Sequence, residues 1–176
     1  MQDATPDATK RPASWRTRRC FITPKRVISN SDSSSVSVRA VTPADADSVR
    51  ELWQEYEHEV PEPEGFRPDT WEEAWKELSG EVGYLAEDES GAVACAFATH
   101  PEHGRFHITL VHVRSRARRK GIAKALVRKL VAELGAEWVS LDVVSSNQDA
   151  HAVWQHLGFV EVEKLMAART DDLRLD

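Results

Sequence analysis

The feature that most constrains the fold is a pattern in three parts between residues 108 and 135. The apolar, β-branched segment at 108–113 predicts a buried strand. A basic turn around Gly121 follows it. From Ile122 to Leu134 leucine or isoleucine then recurs every four positions, which predicts an amphipathic helix, and Gly135 supplies the stop signal. The sequence therefore predicts a strand joined to a helix by a basic glycine turn.

Positive charge is concentrated in this turn, although the chain as a whole has a net charge of −6. No Asp or Glu lies between Glu102 and Glu133. The first four N–H groups of a helix lack internal partners and together carry about half a positive charge, so an anion is stabilised there. We therefore expect a phosphate-binding site, with a solvated helix entrance as the alternative. The bases that would surround it are Arg114, Arg116, Arg118, Arg119, Lys120 and Lys124.

The string of residues 118–123, Arg-Arg-Lys-Gly-Ile-Ala, fits neither the P-loop nor the three-glycine dinucleotide fingerprint. Preceded by a strand and followed by a helix, it resembles the acetyl-CoA-binding motif of the GNAT superfamily of N-acetyltransferases. A second segment, residues 147–159, resembles the family pattern Asn-x-x-Ala-x-x-x-Tyr-x-x-Leu-Gly-Phe, with Trp154 in place of the tyrosine. The resemblance covers roughly residues 36–167.

The resemblance implies an α/β (α+β) fold of one domain, which we place at 36–170, followed by a tail at 171–176. The central sheet would be mixed, mostly antiparallel and twisted, flanked by helices in the order β-α-α-β-β-β-α-β-α-β. Local signals in the sequence fit this order. They predict a strand near 36–41, a helix from the Thr42-Pro43 cap to about Glu57, a polar linker at 58–68, a helix at 71–78, a hairpin turning at 89–91 and a strand at 138–144.

Length and composition agree with a single domain, since the 176 residues are 41% hydrophobic and 30% charged. No apolar stretch approaches the roughly 20 residues of a membrane span, and no secretory signal begins the chain, so we predict a cytoplasmic protein without a membrane partner.

Residues 1–35 are basic and rich in Ser. We predict a disordered extension there, with a transit peptide or a nucleic-acid-touching arm as alternatives, and we predict no nucleic-acid partner.

The resemblance further implies acetyl-CoA as co-substrate. In the family, the strand backbone at positions matching Val111, His112 and Val113 pairs with the pantetheine arm, and the position of Asn147 makes a polar contact near the cofactor. The positions that match the pyrophosphate-binding segment are Arg118, Arg119, Lys120, Gly121, Ile122, Ala123 and Lys124. No metal is predicted, because the histidines at 103, 107 and 112 are not spaced to bring three imidazoles together.

Acyl transfer to an amine requires a base for the attacking ammonium. His107 lies at the start of the strand where relatives in the family place a Glu or His base, and a reference pKa near 6.5 suits that role. A histidine that merely ends a strand is the alternative. The family tyrosine would protonate the departing sulfur, whereas the indole of Trp154 donates a hydrogen bond but does not ionise near neutrality. Solvent, Ser145 or Ser146 is the predicted substitute, and packing is the alternative role of Trp154.

The acceptor is predicted to be a small-molecule or peptide amine. In the family the segment between the first two helices shapes the acceptor site, and here it contains Glu57, Glu59, Glu62 and Glu64 together with Phe66. The carboxylates of the glutamates would attract a cation. An ordinary exposed loop is the alternative. The predicted function is N-acetyltransfer from acetyl-CoA to a primary amine in a ternary complex. The alternative is a non-catalytic acyl-CoA-binding sensor or partner-binding module. Relatives in the family are often dimers, so a homodimer is one predicted assembly of this chain.

Overall fold

The structure, a computed structural model, describes residues 36–60 and 69–163. The strands in these residues are β1 (Ser37–Ala40), β2 (Val82–Asp88), β3 (Gly91–Ala98), β4 (Arg105–Val113) and β5 (Trp138–Leu141). The α-helices are α1 (Ala46–Glu59), α2 (Trp71–Leu78), α3 (Ile122–Leu134) and α4 (Gln148–His156). The predicted extension at 1–35 and tail at 171–176 lie outside the described residues.

The five strands form one open sheet in the order β1-β2-β3-β4-β5. The first four strands pair antiparallel, and β5 pairs parallel to β4. The predicted α/β fold with a mixed, mostly antiparallel sheet is confirmed. The order of elements is also as predicted from the first strand to the last helix. A final strand is predicted after the last helix; residues 159–163 are not in a strand, and the chain after 163 lies outside the described residues.

Several boundaries differ from the sequence prediction, and strand β4 begins at Arg105 rather than at Ile108. Helix α1 ends at Glu59 rather than at about Glu57, and the N–H group of Val60 still bonds to the carbonyl of Tyr56. Helix ends depend on local tertiary contacts, which the sequence pattern does not show. Strand β5 ends at Leu141 rather than at Val144, because its ladder with β4 stops where Leu141 faces Ile108.

The start of α1 is fixed by a compact network of side chains. Thr42 and Asp45 form a capping box around a short 3₁₀ turn, and Arg39 of β1 binds both oxygens of Asp45 at 2.8 and 2.6 Å. Hydrogen bonds from Arg39 and Thr42 hold the pKa of Asp45 well below its usual range. This carboxylate joins the edge of the sheet to the first helix.

The sheet buries an apolar cluster on each face. On one face α3 contributes Leu126 and Leu130, which pack on Phe106 and Ile108 of β4. On the other face α1 and α2 cover a cluster that includes Val49, Leu52, Leu78, Phe97 and Leu110. The central strands β2, β3 and β4 therefore have one side facing α3 and the other facing α1 and α2, and this division decides which side chains can reach a ligand at either face.

Gly83 of β2 is required by the packing of the face under α1. A Cβ atom there would lie 2.5 Å from Cε1 of Phe97, whose side chain is fully buried. We expect Gly83→Ala to lower the free energy of unfolding by about 1–3 kcal/mol, because the ring must move within a packed core. The matched control is Gly80→Ala, whose new Cβ would come no closer than 3.4 Å to the Glu77 carbonyl. Urea midpoints that shift equally in both variants would contradict this prediction.

Candidate cofactor and acceptor site

Strand β4 has an open edge in its second half. The ladder with β5 covers Arg105 to Ile108, and among the described residues no strand pairs with Thr109 to Val113 on that side. The amide of Arg114 donates to the carbonyl of Val93 on β3 at 2.9 Å. Because antiparallel bonding alternates along a strand, the N–H and C=O groups of Val111 and Val113 point away from β3, toward the open edge. Such an edge can accept an extended chain as an added strand.

A β-bulge lies where the two strands begin to separate. The β3–β4 register shifts opposite Phe97 and Ala98, next to Thr109. Before the bulge Ile108 packs on the α3 side, and after it Val111 does so again, although an unbroken strand would place these two residues on opposite faces. Bulges re-aim side chains and end pairing, and they are common beside active sites. Here the bulge marks the opening between β4 and β5.

The turn before α3 follows this open edge. Arg119 has a φ of 64° and Gly121 a φ of 76°, both in the left-handed region, where glycine is preferred and other residues are uncommon. Helix α3 begins at Ile122, and no side chain of the described residues caps its N-terminus. The first N–H groups of the helix therefore have no side-chain partner among the described residues and could bind an anion.

The six bases of this region divide into two groups. Three of them form ion pairs: Arg114 lies 2.8 Å from Glu51, Arg116 lies 2.8 Å from Asp88, and Arg118 contacts Glu59. The other three are Arg119, Lys120 and Lys124, which form no ion pair within residues 36–60 and 69–163. Half of the positive charge read from the sequence is thus balanced internally. The unbalanced half surrounds the start of α3.

His107 lies on the face of β4 that is turned toward α1 and α2, because its neighbours Phe106 and Ile108 pack on the α3 side. Its Nδ1 atom is 3.0 Å from the hydroxyl of Ser140, the residue opposite it on β5. Its Nε2 atom is 3.7 Å from a carboxylate oxygen of Asp142, whose side chain is 79% exposed. A histidine held through Nδ1, with Nε2 beside an exposed carboxylate, is suited to take a proton from a cation.

Sequence reasoning missed Ser140 and Asp142. A signal was present, because alternation along β5 places positions 138, 140 and 142 on the side opposite to the apolar Val139 and Leu141. What the sequence did not show is the parallel register that sets Ser140 opposite His107. Asp142 directly follows β5, so its carboxylate lies at the point where the two strands part.

His112 is buried within the predicted cofactor segment. Its Nε2 atom lies 3.3 Å from a carboxylate oxygen of Glu55, and its ring meets that of Tyr56 edge to face at 6.4 Å. Burial lowers the pKa of His112, against the opposing effects of Glu55 and Glu59 on α1, while Arg118 lowers it further. Its side chain faces the core, so only its backbone could contact a ligand bound along β4.

The depressed pKa of His112 predicts a loss of stability in acid. The unfolded chain takes up a proton near pH 6.5, whereas the native imidazole takes it up only at lower pH. Stability therefore falls as pH drops below 6.5, with a slope of at most about 1.4 kcal/mol per pH unit from this one group. We expect His112→Gln to show a shallower loss between pH 7.5 and 5.5 in urea melts, and the exposed His100→Gln to keep the wild-type slope. Parallel slopes in all three proteins would contradict this prediction.

Trp154 and Asn147 both have structural contacts. The ring of Trp154 on α4 meets Phe159 edge to face at 5.4 Å and packs against the apolar cluster under α3. The side-chain oxygen of Asn147 caps α4 by accepting a hydrogen bond from the N–H group of Ala150 at 3.1 Å.

Of the residues expected at the acceptor, Glu57 and Glu59 lie in the last turn of α1, and Phe66 lies outside the described residues.

The described part of the chain contains no group of three His, Cys, Asp or Glu side chains arranged to hold a metal ion. No helix within the same residues has the length and apolar character needed to cross a membrane.

Comparisons with known proteins agree with this fold. A search of curated sequences found no match. Solved structures with the same fold include a ribosomal-protein-alanine N-acetyltransferase from Brucella melitensis biovar Abortus 2308, at 18% identity and a TM-score of 0.60, covering 77% of this chain and 99% of that one. They also include the aminoglycoside 6'-N-acetyltransferase AAC(6')-IG from Acinetobacter haemolyticus, at 18% identity and 0.60, covering 76% and 97%.

A third similar structure is the aminoglycoside N-acetyltransferase AAC(6')-Iy in complex with CoA, at 19% identity and a TM-score of 0.61, covering 79% of this chain and 97% of that one. At these identities the structures share the fold. The family model described as the Acetyltransferase (GNAT) family matches residues 46–159, which is more than half of the chain and includes both β4 and the basic turn. The protein belongs to the GNAT acetyltransferase family.

Proposed function

We propose that the protein is an N-acetyltransferase that transfers the acetyl group of acetyl-CoA to a primary amine by direct transfer in a ternary complex. One observation carries the proposal. The open edge of β4 at Val111 and Val113 leads directly to the N-terminus of α3, where three bases form no ion pair with an acid of the described residues. An extended chain with a diphosphate at one end, which is the shape of coenzyme A, fits a strand edge that ends at an anion-binding turn.

In this proposal the diphosphate lies against the free N–H groups at the start of α3, with Arg119, Lys120 and Lys124 around it. The pantetheine amides pair with the backbone of Val111 and Val113. The carbonyl of Val113 already accepts a hydrogen bond from Nε of Arg118 at 2.8 Å, which supports its position at the accessible edge. The thioester end then points along β4 toward the bulge, on the path to His107.

His107 is the proposed general base. The amine loses a proton to Nε2 of His107, its nitrogen bonds to the thioester carbonyl carbon, and the carbon–sulfur bond breaks to release CoA as a thiolate. Nε2 and the Asp142 oxygen are 3.7 Å apart, which is too long for a direct hydrogen bond, so an ammonium beside both can donate to each. Asp142 would hold the cation, and His107 would take its proton.

Trp154 occupies the position at which the family has a tyrosine to protonate the departing thiolate. Trp154 packs on Phe159 and does not ionise near neutrality. A thiol with a pKa of about 8.5 leaves acceptably as a thiolate, so proton delivery by solvent, Ser145 or Ser146 suffices, at a cost of up to roughly 10²- to 10⁴-fold in rate. The same packing of Trp154 also favours the second candidate function, an acyl-CoA-binding module without turnover.

The proposed acceptor is a positively charged amine. Asp142 supplies an exposed carboxylate beside His107, and Glu57 lies in the last turn of α1, before the segment that contains Phe66 in the sequence. The carboxylate of Glu59 contacts Arg118, so its charge is already balanced. Similar structures are named as acetyltransferases of aminoglycosides and of a ribosomal protein, which makes both small-molecule and peptide amines suitable for testing.

The test is release of free thiol from acetyl-CoA in the presence of a panel of amines. The panel contains an aminoglycoside, a polyamine, a Lys-rich peptide and a peptide with an N-terminal Ala, with neutral alcohols as controls. We expect thiol release with at least one cationic amine and a rise in melting temperature with CoA. A rise in melting temperature without thiol release from any amine would favour the binding module. If CoA does not raise the melting temperature and no amine releases thiol, both functions are excluded.

A further inference from the structure

Three glutamates on one face of α1 form ion pairs with arginines, and the last of them contacts the basic turn before α3. Glu51, Glu55 and Glu59 recur every fourth residue, which places them on one face of the helix. Glu51 and Glu55 both contact Arg114, just after β4, at 2.8 and 3.0 Å, the second contact being an ion pair without hydrogen-bond geometry. Glu59 contacts Arg118, the residue at which the turn begins. Glu59, the last of the three glutamates, is therefore in contact with the turn of the proposed site.

Arg118 is held at both ends of its guanidinium. Its Nε atom donates to the carbonyl of Val113 at 2.8 Å, and its Nη2 atom donates to Glu59. The first contact ties the side chain to the open edge of β4, and the second ties it to α1. Its backbone is extended, with φ of −66° and ψ of 163°, and leads straight into Arg119 at φ of 64°. Arg118 is thus an anchor placed immediately before a backbone conformation that a non-glycine residue seldom adopts.

The ion pair has little value for the stability of the fold. The side chains of Arg118 and Glu59 are 44% and 39% exposed, and exposed ion pairs contribute little to folding free energy. Glu59 is also the last residue of α1, where a carboxylate is disfavoured by the negative end of the helix dipole. Neither helix formation nor core packing explains a glutamate at this position.

From these contacts we propose that Glu59 is a positioning residue for the CoA-binding turn, acting through Arg118, rather than part of the acceptor site. The inference rests on the proposed function, because it assigns the turn to CoA. By fixing Arg118, Glu59 holds Arg119 and the start of α3 in the shape that receives the diphosphate. A turn that is already ordered binds its ligand more tightly, because less conformational freedom is lost on binding.

The test measures CoA binding by calorimetry in variants of the full chain. We expect Glu59→Gln to raise the dissociation constant for CoA by about 3- to 10-fold and to raise KM for acetyl-CoA by a similar factor, with kcat at saturation within twofold of wild type. The matched control is Glu51→Gln, on the same helix face and also paired with an arginine, but without contact to Arg118. We expect it to bind CoA within twofold of wild type.

A second measurement tests whether Glu59 acts through Arg118. In an Arg118→Gln background, adding Glu59→Gln is expected to change CoA affinity by less than twofold, since the coupling is already lost. Equal affinities in wild type, Glu59→Gln and Glu51→Gln would overturn this inference and leave the proposed function standing. Tighter CoA binding in Glu59→Gln would overturn it as well, because Glu59 would then be withholding Arg118 from the phosphates. Failure of wild type to bind CoA would overturn both.

Discussion

Reversing the charge of Arg119 and Lys120 together, by substitution with Glu, is expected to weaken CoA binding by about 10²-fold or more. The physical reason is that these two bases pair with no acid in the part of the chain that the structure describes, and they lie at the N-terminus of α3, where charge-assisted contacts with a phosphate are each worth about 1.5–3 kcal/mol. Reversal adds repulsion to the loss of these contacts. The measurement is the dissociation constant for CoA by calorimetry, repeated at several salt concentrations because contacts between exposed charges are screened.

A matched control separates this site from the general charge of the helix. Arg128 and Lys129 are also adjacent bases on α3 and are also exposed, but they lie in its second half. Substitution of both by Glu makes the same change in net charge and should alter CoA affinity by less than about threefold, because screening removes most of the interaction beyond roughly 10 Å at 0.1 M salt. Equal losses in the two double variants would show that CoA responds to overall charge, and the assignment of the turn would fail.

The second large effect is expected at His107. His107→Gln keeps the size of the side chain and a hydrogen-bonding group for Ser140 but removes the proton acceptor. We expect kcat to fall by about 10²- to 10⁴-fold, the range in which a positioned base contributes to proton transfer. The fall of the rate in acid, which reports protonation of the base, should disappear in this variant, while CoA affinity stays within about twofold of wild type.

His100→Gln serves as the control for His107, since His100 is exposed and lies just beyond β3. Asp142→Asn gives the complementary measurement. If Asp142 holds the ammonium, this variant should raise KM for a cationic amine more than it lowers kcat, because the contact is made before the transition state. An unchanged rate and an unchanged pH profile in His107→Gln would remove His107 from the mechanism and leave proton transfer to solvent.

Local signals predicted the secondary structure well where they were unambiguous. The helix from Ile122 to Leu134 is found with the predicted bounds, and Gly135 ends it in the left-handed conformation at φ of 59°. The second helix also occupies the predicted residues, with Thr70 forming its capping box. Both have periodic apolar residues and strong terminal signals within a few positions, so the information that defines them is local.

The details of the site were less accessible to sequence reasoning. The six bases of the turn look equivalent in the sequence, yet three of them are paired with acids from α1 and β2, which lie far away along the chain. Glu59, which the sequence suggested for the acceptor site, contacts Arg118, and the sequence pattern does not show this contact. Ser140 and Asp142 were not noticed at all, because only the parallel register of β4 and β5 brings them to His107.

By itself the sequence determined the order of the elements, the family and the basic turn at the start of α3, because strand, turn and helix signals depend on neighbours in the chain. Only the tertiary structure decided which charges remain available to a ligand, where β4 and β5 separate, and which side chains surround His107. Ion pairs and ladder register depend on distances between segments that are remote in sequence, and a linear pattern of residues does not contain those distances.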